Sequence, residues 1–211
     1  MELRRLAVFA SGGGSNFQSI LASWKAGGHP LEPVALLADR PGAPALDKAR
    51  AAGLDTAVFG KGCWSEDAPR VGEVLDWLRE RSVDVVALAG FLRRVPPDLV
   101  AAFRGRMLNI HPALLPAFGG AGMYGHFVHE AVWRTGCRVS GATVHLVDEA
   151  YDRGPILLQR AVALDVADGP AEIAGRVLQV EHELYPEALA LLADRGITIE
   201  EGRAIPCRAS R

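Results

Sequence analysis

Leu6-Ala7-Val8-Phe9-Ala10-Ser11-Gly12-Gly13-Gly14-Ser15-Asn16 is the stretch that decides the fold. Five apolar residues run without alternation, as a strand covered on both faces requires. Three glycines follow at once, and Ser15 and Asn16 open a helix that reads to about residue 26. Glycine allows positive φ and close approach of the backbone to a ligand. The free N–H groups and the positive end of the helix dipole then favour an anion. The loop is not a P-loop, because no Gly-Lys-Ser/Thr follows. Nor does it match the dinucleotide fingerprint, since Phe17 takes the third glycine position. A mononucleotide-sized phosphate fits it better, with a plain βα turn capped by Ser15 or Asn16 as the alternative.

Outward from this unit, strands and helices alternate. Strands read at residues 34–38, 56–59, 83–89 and 107–111, the 83–89 run being strongly apolar. Helices read at 45–52, at 71–81 with Val71, Val74, Leu75 and Leu78 at helical spacing, and from Pro96-Pro97 to about 103. A glycine-rich loop covers 118–125, and a helix follows to about 134. Residues 138–147 and 156–164 alternate more and suggest a β-ribbon. Residues 170–195 form one long helix, with Pro170 near its start and Gly196 as its stop. Repeated βα units with continuous apolar strands predict an α/β fold: an open, mostly parallel twisted sheet with helices on both faces, Rossmann-like, ending in a β-ribbon and a long helix.

Composition narrows the function. The 211 residues suffice for one α/β domain with a substantial core. Lys plus Arg is 23 and Asp plus Glu is 25, a net charge of −2, so no global attraction to nucleic acid is expected. Cys63, Cys137 and Cys207 are odd in number, widely spaced and without a CxxC pair. Disulfides and a structural metal site are therefore not expected, and a reducing compartment is. No apolar run reaches the ~18 residues of a membrane span. Met1-Glu2-Leu3-Arg4-Arg5 has no cleavable signal pattern. The expectation is a cytoplasmic protein acting on small molecules.

Met107-Leu108-Asn109-Ile110-His111-Pro112 carries the chemistry. Asn109 and His111 stand two apart on a core strand, so both project to one side. Pro112 ends the strand, and strand ends are where open α/β sheets bind ligands. An imidazole can give or take a proton near neutrality, and a carboxamide N–H can stabilise an oxyanion. No nucleophile elbow accompanies them. The pair therefore suits acyl transfer to a nucleophile carried by the substrate; a hydrogen-bonded structural histidine is the alternative. Asp148, Glu149 and Asp152 lie in the turn between the two ribbon strands. One of these carboxylates could orient the imidazole, or the turn is simply a solvated one.

Four motifs in order carry a resemblance: Gly12-Gly13-Gly14-Ser15-Asn16; Ala89-Gly90-Phe91-Leu92-Arg93; Asn109-Ile110-His111-Pro112-Ala113-Leu114-Leu115-Pro116; and Ser140-Gly141-Ala142-Thr143-Val144-His145 leading to Asp152-Arg153-Gly154-Pro155. With Glu181-His182-Glu183-Leu184-Tyr185-Pro186 on the long helix, the chain resembles the folate-dependent glycinamide ribonucleotide formyltransferases. The resemblance implies formyl transfer from 10-formyltetrahydrofolate, a co-substrate, to the amine of glycinamide ribonucleotide in purine synthesis, without a metal. It implies His111 as general acid/base, Asn109 as holder of the formyl oxygen and Asp152 as support for a protonated His111. Gly13, Gly14, Ser15 and Asn16 correspond to the phosphate loop, and Glu181 to a ribose contact. Phe91, Leu92, Arg93, Arg94 and Val95 correspond to the folate pocket, with Asn109, Val147 and Asp152 closing it. The chain then reads as one domain over 1–211: a phosphate-binding half to about 100, a folate-binding and catalytic half over about 101–195, and a tail over 196–211. It would be a monomer or homodimer.

Some positions depart from the pattern. Arg94 stands where an apolar residue is expected against the pterin. Asp67 replaces an arginine that meets the folate, with Arg70 as the possible substitute. The loop 118–125 is a glycine-rich variant, so His126 and His129 are expected at the surface without a catalytic role, and His145, inward on its strand, is expected to support a catalytic neighbour or to be simply packed, rather than to act as a base. Methionyl-tRNA formyltransferase would add an RNA-binding domain, and formyltetrahydrofolate deformylase a regulatory one. The remaining alternatives are a formyltransferase for another amine and a non-catalytic folate or nucleotide-binding module.

Overall fold

The computed structural model describes residues 4–65 and 67–207, so the ends of the expected tail and N-terminus, 208–211 and 1–3, lie outside the described residues. Strand β1 (Arg5–Ala10) leads into helix α1 (Ser15–Lys25), then β2 (Glu32–Ala38), α2 (Pro44–Ala51) and β3 (Asp55–Val58). Next come α3 (Val71–Glu80), β4 (Val85–Leu88), α4 (Pro97–Ala102) and β5 (Met107–His111). Helix α5 (His126–Arg134), strands β6 (Val139–Leu146) and β7 (Ile156–Ala163), and the long α6 (Pro170–Arg195) follow. The chain then forms a hairpin of β8 (Ile197–Glu200) and β9 (Arg203–Pro206).

The sheet has seven strands in the order β3-β2-β1-β4-β5-β6-β7. The pairs from β3 to β5 are parallel, and β6 and β7 join antiparallel. This is the expected fold class. Apolar residues alternate between its two faces as a pleat demands. Leu6, Val8 and Ala10 of β1 meet Phe17, Ile20 and Leu46 from α1 and α2, together with Val132 of α5 and Val177 of α6. Ala7 and Phe9 meet Val74, Leu78, Leu99 and Val100 from α3 and α4 on the other face. Burial on both faces explains why β1 and β4 read as unbroken apolar runs.

The order of strand addition reverses between β1 and β4, which are neighbours. Helices on opposite faces leave a crevice there, beyond the carboxyl ends of the strands. Tyr185, buried on α6, straps this end: its hydroxyl lies 3.1 Å from the Leu88 carbonyl and 3.0 Å from that of Leu108. One hydroxyl proton is thus shared between the end of β4 and the adjacent early part of β5.

The hairpin of β8 and β9 occupies a segment read from sequence only as a tail. Its turn residues Glu201 (φ 50°) and Gly202 (φ 74°) both adopt the left-handed region, which suits a two-residue type I′ connection.

Candidate active site

Strand β1 delivers its chain into Ser11–Gly14 at the crevice. Gly14 has φ 72°, and a Cβ there would lie 2.8 Å from the Ala45 Cβ, so glycine is required by both conformation and space. Gly14 also caps α1 with no side-chain hydrogen bond, and the first turn of α1 contains no acidic residue. The first N–H groups of the helix are therefore left to whatever sits before them. Ser11 looks the other way: its hydroxyl accepts the Leu92 N–H at 2.9 Å, and its own N–H donates to the Gly90 carbonyl at 3.1 Å.

A cavity of about 550 Å³ opens from this loop across the ends of β4 and β5. Ser15, Asn16 and Glu181 wall one end, and Phe91, Leu92, Arg93, Arg94, Val95, Val147 and Asp152 wall the other. Asn109 and His111 lie on its floor, with His145 beside them. The residues expected from sequence thus converge, with exceptions. Gly13 and Gly14 shape the turn behind Ser15 but are not part of the wall. Arg70 is outside it too, held by Glu73 with Nε and Nη2 each 2.7 Å from a carboxylate oxygen. Arg93 has its Nε 2.7 Å from Asp39, whose side chain is fully buried. Arg94 donates to the Glu149 carbonyl at 3.3 Å. Phe91 is fixed edge-on against Phe9 and Trp64, with ring centroids 5.5 and 4.8 Å away.

Beside Ser15, Asn16 donates through Nδ2 to Glu181 at 2.6 Å, and its Oδ1 is buried with no partner among the described residues. Burial pushes the Glu181 carboxyl up to about 7, against the opposing effect of the Asn16 hydrogen bond.

At the floor, pairing geometry places the groups. Asn109 is directly opposite His145 in the β5–β6 ladder, and His111 is opposite Thr143. Asn109 Nδ2 lies 3.0 Å from His145 Nε2, and His145 Nδ1 lies 2.9 Å from the Leu146 carbonyl. A carbonyl only accepts, so Nδ1 carries the proton and Nε2 accepts from Asn109. That choice orients the amide and leaves the second N–H of Nδ2 without another partner among the described residues. His145 Nε2 is also 3.7 Å from Asp152 Oδ1, beyond hydrogen-bond range. The shorter contact with Asn109 decides its role.

The same argument fixes His111. Its Nε2 is 2.8 Å from the Phe118 carbonyl and must donate, so Nδ1 is the titrating nitrogen. Nδ1 faces Asp152 Oδ2 at 3.6 Å. Asp152 reaches this place with φ 53°, and Oδ2 accepts the Gly120 N–H at 2.9 Å. Burial lowers the His111 pKa, and the Asp152 charge and Phe118 hydrogen bond only partly restore it. Burial works to raise Asp152, but the Gly120 N–H and the nearness of His145 and His111 outweigh it, and its pKa is lowered. The result is a neutral imidazole beside an ionised carboxylate, ready to take a proton through Nδ1. The neighbours of His111 are a carbonyl and a carboxylate, not a Ser or Cys.

His129 corrects an expectation. It was read as a surface residue, but it is 7% exposed and lines the cavity. Val128, His129 and Val132 form the buried stripe of α5, and that helical spacing was the available signal. His126 is exposed, as expected, and it also lines the cavity. Tyr151, part of the wall, and Asp39, behind Arg93, were not singled out by sequence reasoning.

An amide, an imidazole and a carboxylate meeting in the strand-end crevice of an open α/β sheet make a site suited to acyl-group transfer. Residues 4–189 match the formyl transferase family, and the chain belongs to that family. It is 45% identical over 94% of its length to a chloroplastic phosphoribosylglycinamide formyltransferase of Arabidopsis thaliana, covering 68% of that protein. A phosphoribosylglycinamide formyltransferase of Bacillus subtilis is 35% identical, with 90% of this chain and 95% of that one covered. Among solved structures, glycinamide ribonucleotide transformylase 1 from Symbiobacterium toebii superposes with a TM-score of 0.89 at 35% identity, over 98% of this chain and 95% of that one.

Proposed function

We propose that this chain transfers the formyl group of 10-formyltetrahydrofolate to the amine of glycinamide ribonucleotide, giving formylglycinamide ribonucleotide and tetrahydrofolate in purine synthesis. The observation that carries the reading is the convergence of Asn109, His111 and Asp152 midway along one cavity. One end offers a helix N-terminus and Glu181, suited to phosphate and ribose; the other offers Phe91, Val95 and Val147 with two arginines, suited to a flat folate ring with an anionic tail. The names of the relatives support the same substrates. The cavity volume falls within the usual range for ligand sites.

The acceptor amine is the nucleophile. Its lone pair attacks the formyl carbon, a C–N bond forms, and the carbonyl electron pair moves onto oxygen. Asn109 supplies its second N–H to that oxygen, with the amide held by His145. The attacking nitrogen sheds a proton and N10 of the folate must gain one as its bond to the formyl carbon breaks. His111 Nδ1 accepts and returns that proton, and Asp152 stabilises the imidazolium between the two steps. The 3.6 Å separation leaves the pair to close on protonation or to communicate through one water. Holding both substrates in one cavity supplies much of the acceleration by approximation. Three unpaired cysteines fit a reducing compartment.

The test is to mix the protein with 10-formyltetrahydrofolate, with and without glycinamide ribonucleotide, and follow the deformylated folate by absorbance. Turnover that requires the ribonucleotide is expected. Equal turnover without it would indicate a hydrolase, and no turnover a binding module.

A further inference from the structure

His129 lines the cavity from α5, which packs against the Ala174, Leu178 and Glu181 face of α6. Its Nδ1 is enclosed by protein with no hydrogen-bond partner. Nε2 has none among the described residues either, and unlike Nδ1 it is not enclosed; because His129 lines the cavity, Nε2 is the nitrogen a ligand there can reach. Burial first, then His111 and His126 nearby, lowers the pKa of this ring, so it stays neutral. A neutral imidazole offers one N–H and one lone pair, and a buried polar group that uses neither is uncommon in folded proteins. A ligand in the cavity would give Nε2 its hydrogen bond, so that one of the two ring nitrogens is used.

The position says which part of the ligand. Asn16 and Glu181 mark the ribose end of the cavity, and His111 marks the reacting end. His129 lies close enough to His111 for their charges to oppose. In glycinamide ribonucleotide, the group between the ribose and the reacting amine is a secondary amide with one N–H and one carbonyl. We infer that His129 contacts the acceptor, hydrogen-bonding that amide through Nε2 and so aiming the amine at the formyl carbon. The inference rests on the acceptor proposed above. It gives His129 a positioning task that neither Asn109 nor His111 performs.

Two variants of similar size separate a contact residue from a packed one. His129→Gln keeps a polar group near the place of Nε2, and His129→Met removes it. Calorimetric titration gives the affinity of each for glycinamide ribonucleotide and for ribose 5-phosphate, which lacks the amide. The parent is expected to bind the ribonucleotide more tightly than ribose 5-phosphate. His129→Met is expected to weaken ribonucleotide binding roughly 5–10-fold, the worth of about one hydrogen bond, and to leave ribose 5-phosphate unchanged. His129→Gln should recover most of the loss. The melting temperature of His129→Met should hold or rise, because an unsatisfied polar group has been removed. Unchanged ribonucleotide affinity in His129→Met, or equal loss for both ligands, would overturn the inference. So would a parent that binds ribose 5-phosphate as tightly as the ribonucleotide. Failure of formyl transfer with this differential binding intact would defeat the proposed reaction and leave the contact standing.

Discussion

Asp152 holds a left-handed backbone conformation that is strained for any residue with a side chain, and the Gly120 N–H pins its carboxylate there. In Asp152→Asn the attraction that favours protonated His111 disappears, so the apparent pKa of His111 falls further and the low-pH limb of kcat/KM moves to lower pH. kcat should drop by roughly 10²-fold or more, with ribonucleotide affinity nearly unchanged. Equal loss of rate and affinity would remove Asp152 from the proton path. Glu181 makes a different pH prediction. Its folded pKa of about 7 lies above the ordinary 4.5, so between those values the folded chain holds a proton the unfolded chain has released. This contribution is full below pH about 4.5 and is lost as pH rises through about 7, on the order of 2–3 kcal/mol in all. Glu181→Gln should therefore flatten the fall in melting temperature between pH 5 and 7.5; an unchanged slope would place the titration elsewhere. Asn109, His111 and Asp152 were readable as residue types at strand ends and in a turn. His145 reads from sequence as a supporting or packed residue; which group it supports depends on the β5–β6 register, which sets it opposite Asn109. His129 was misplaced because the glycine-rich segment before α5 suggested an exposed helix.

Among the elements, the βα turn at Ser11–Gly14 depends most on one residue. Gly14→Ala forces a Cβ to 2.8 Å from the Ala45 Cβ at φ 72°, so α1 must shift or the turn must strain. A cost of about 1–3 kcal/mol in stability is expected, together with a loss of phosphate affinity. Thermal melting and phosphate titration on the same variant check both, and a variant that melts and binds like the parent would refute the account of the loop. Strands with unbroken apolar runs, such as β1 and β4, were legible because burial on two faces leaves no polar alternation. The hairpin of β8 and β9 was not, since its strands have only four residues each, none of them buried, and carry no long apolar run. Its Glu201-Gly202 turn was the missed signal.

For the molecule as a whole, strand order was beyond the sequence. Alternating βα units predict a parallel sheet but not which strands become neighbours. The order β3-β2-β1-β4-β5 creates the crevice at β1 and β4, and the ribbon of β6 and β7 extends the sheet beside β5. That extension brings the loop bearing Asp152 back over His111. The cavity consequently joins Ser15 and Asn16, near the start of the chain, to walls built from its middle and last third. In the proposed reaction both substrates meet in this one chamber, and the formyl group passes directly between them. A single-turnover experiment with 10-formyltetrahydrofolate labelled in the formyl carbon tests this most directly. Label should leave the folate and appear on glycinamide ribonucleotide at the same rate, with none on the protein, and His111→Asn should slow both about 10²–10⁴-fold. Label on the protein, or label released to water as formate at the same rate without acceptor, would contradict it.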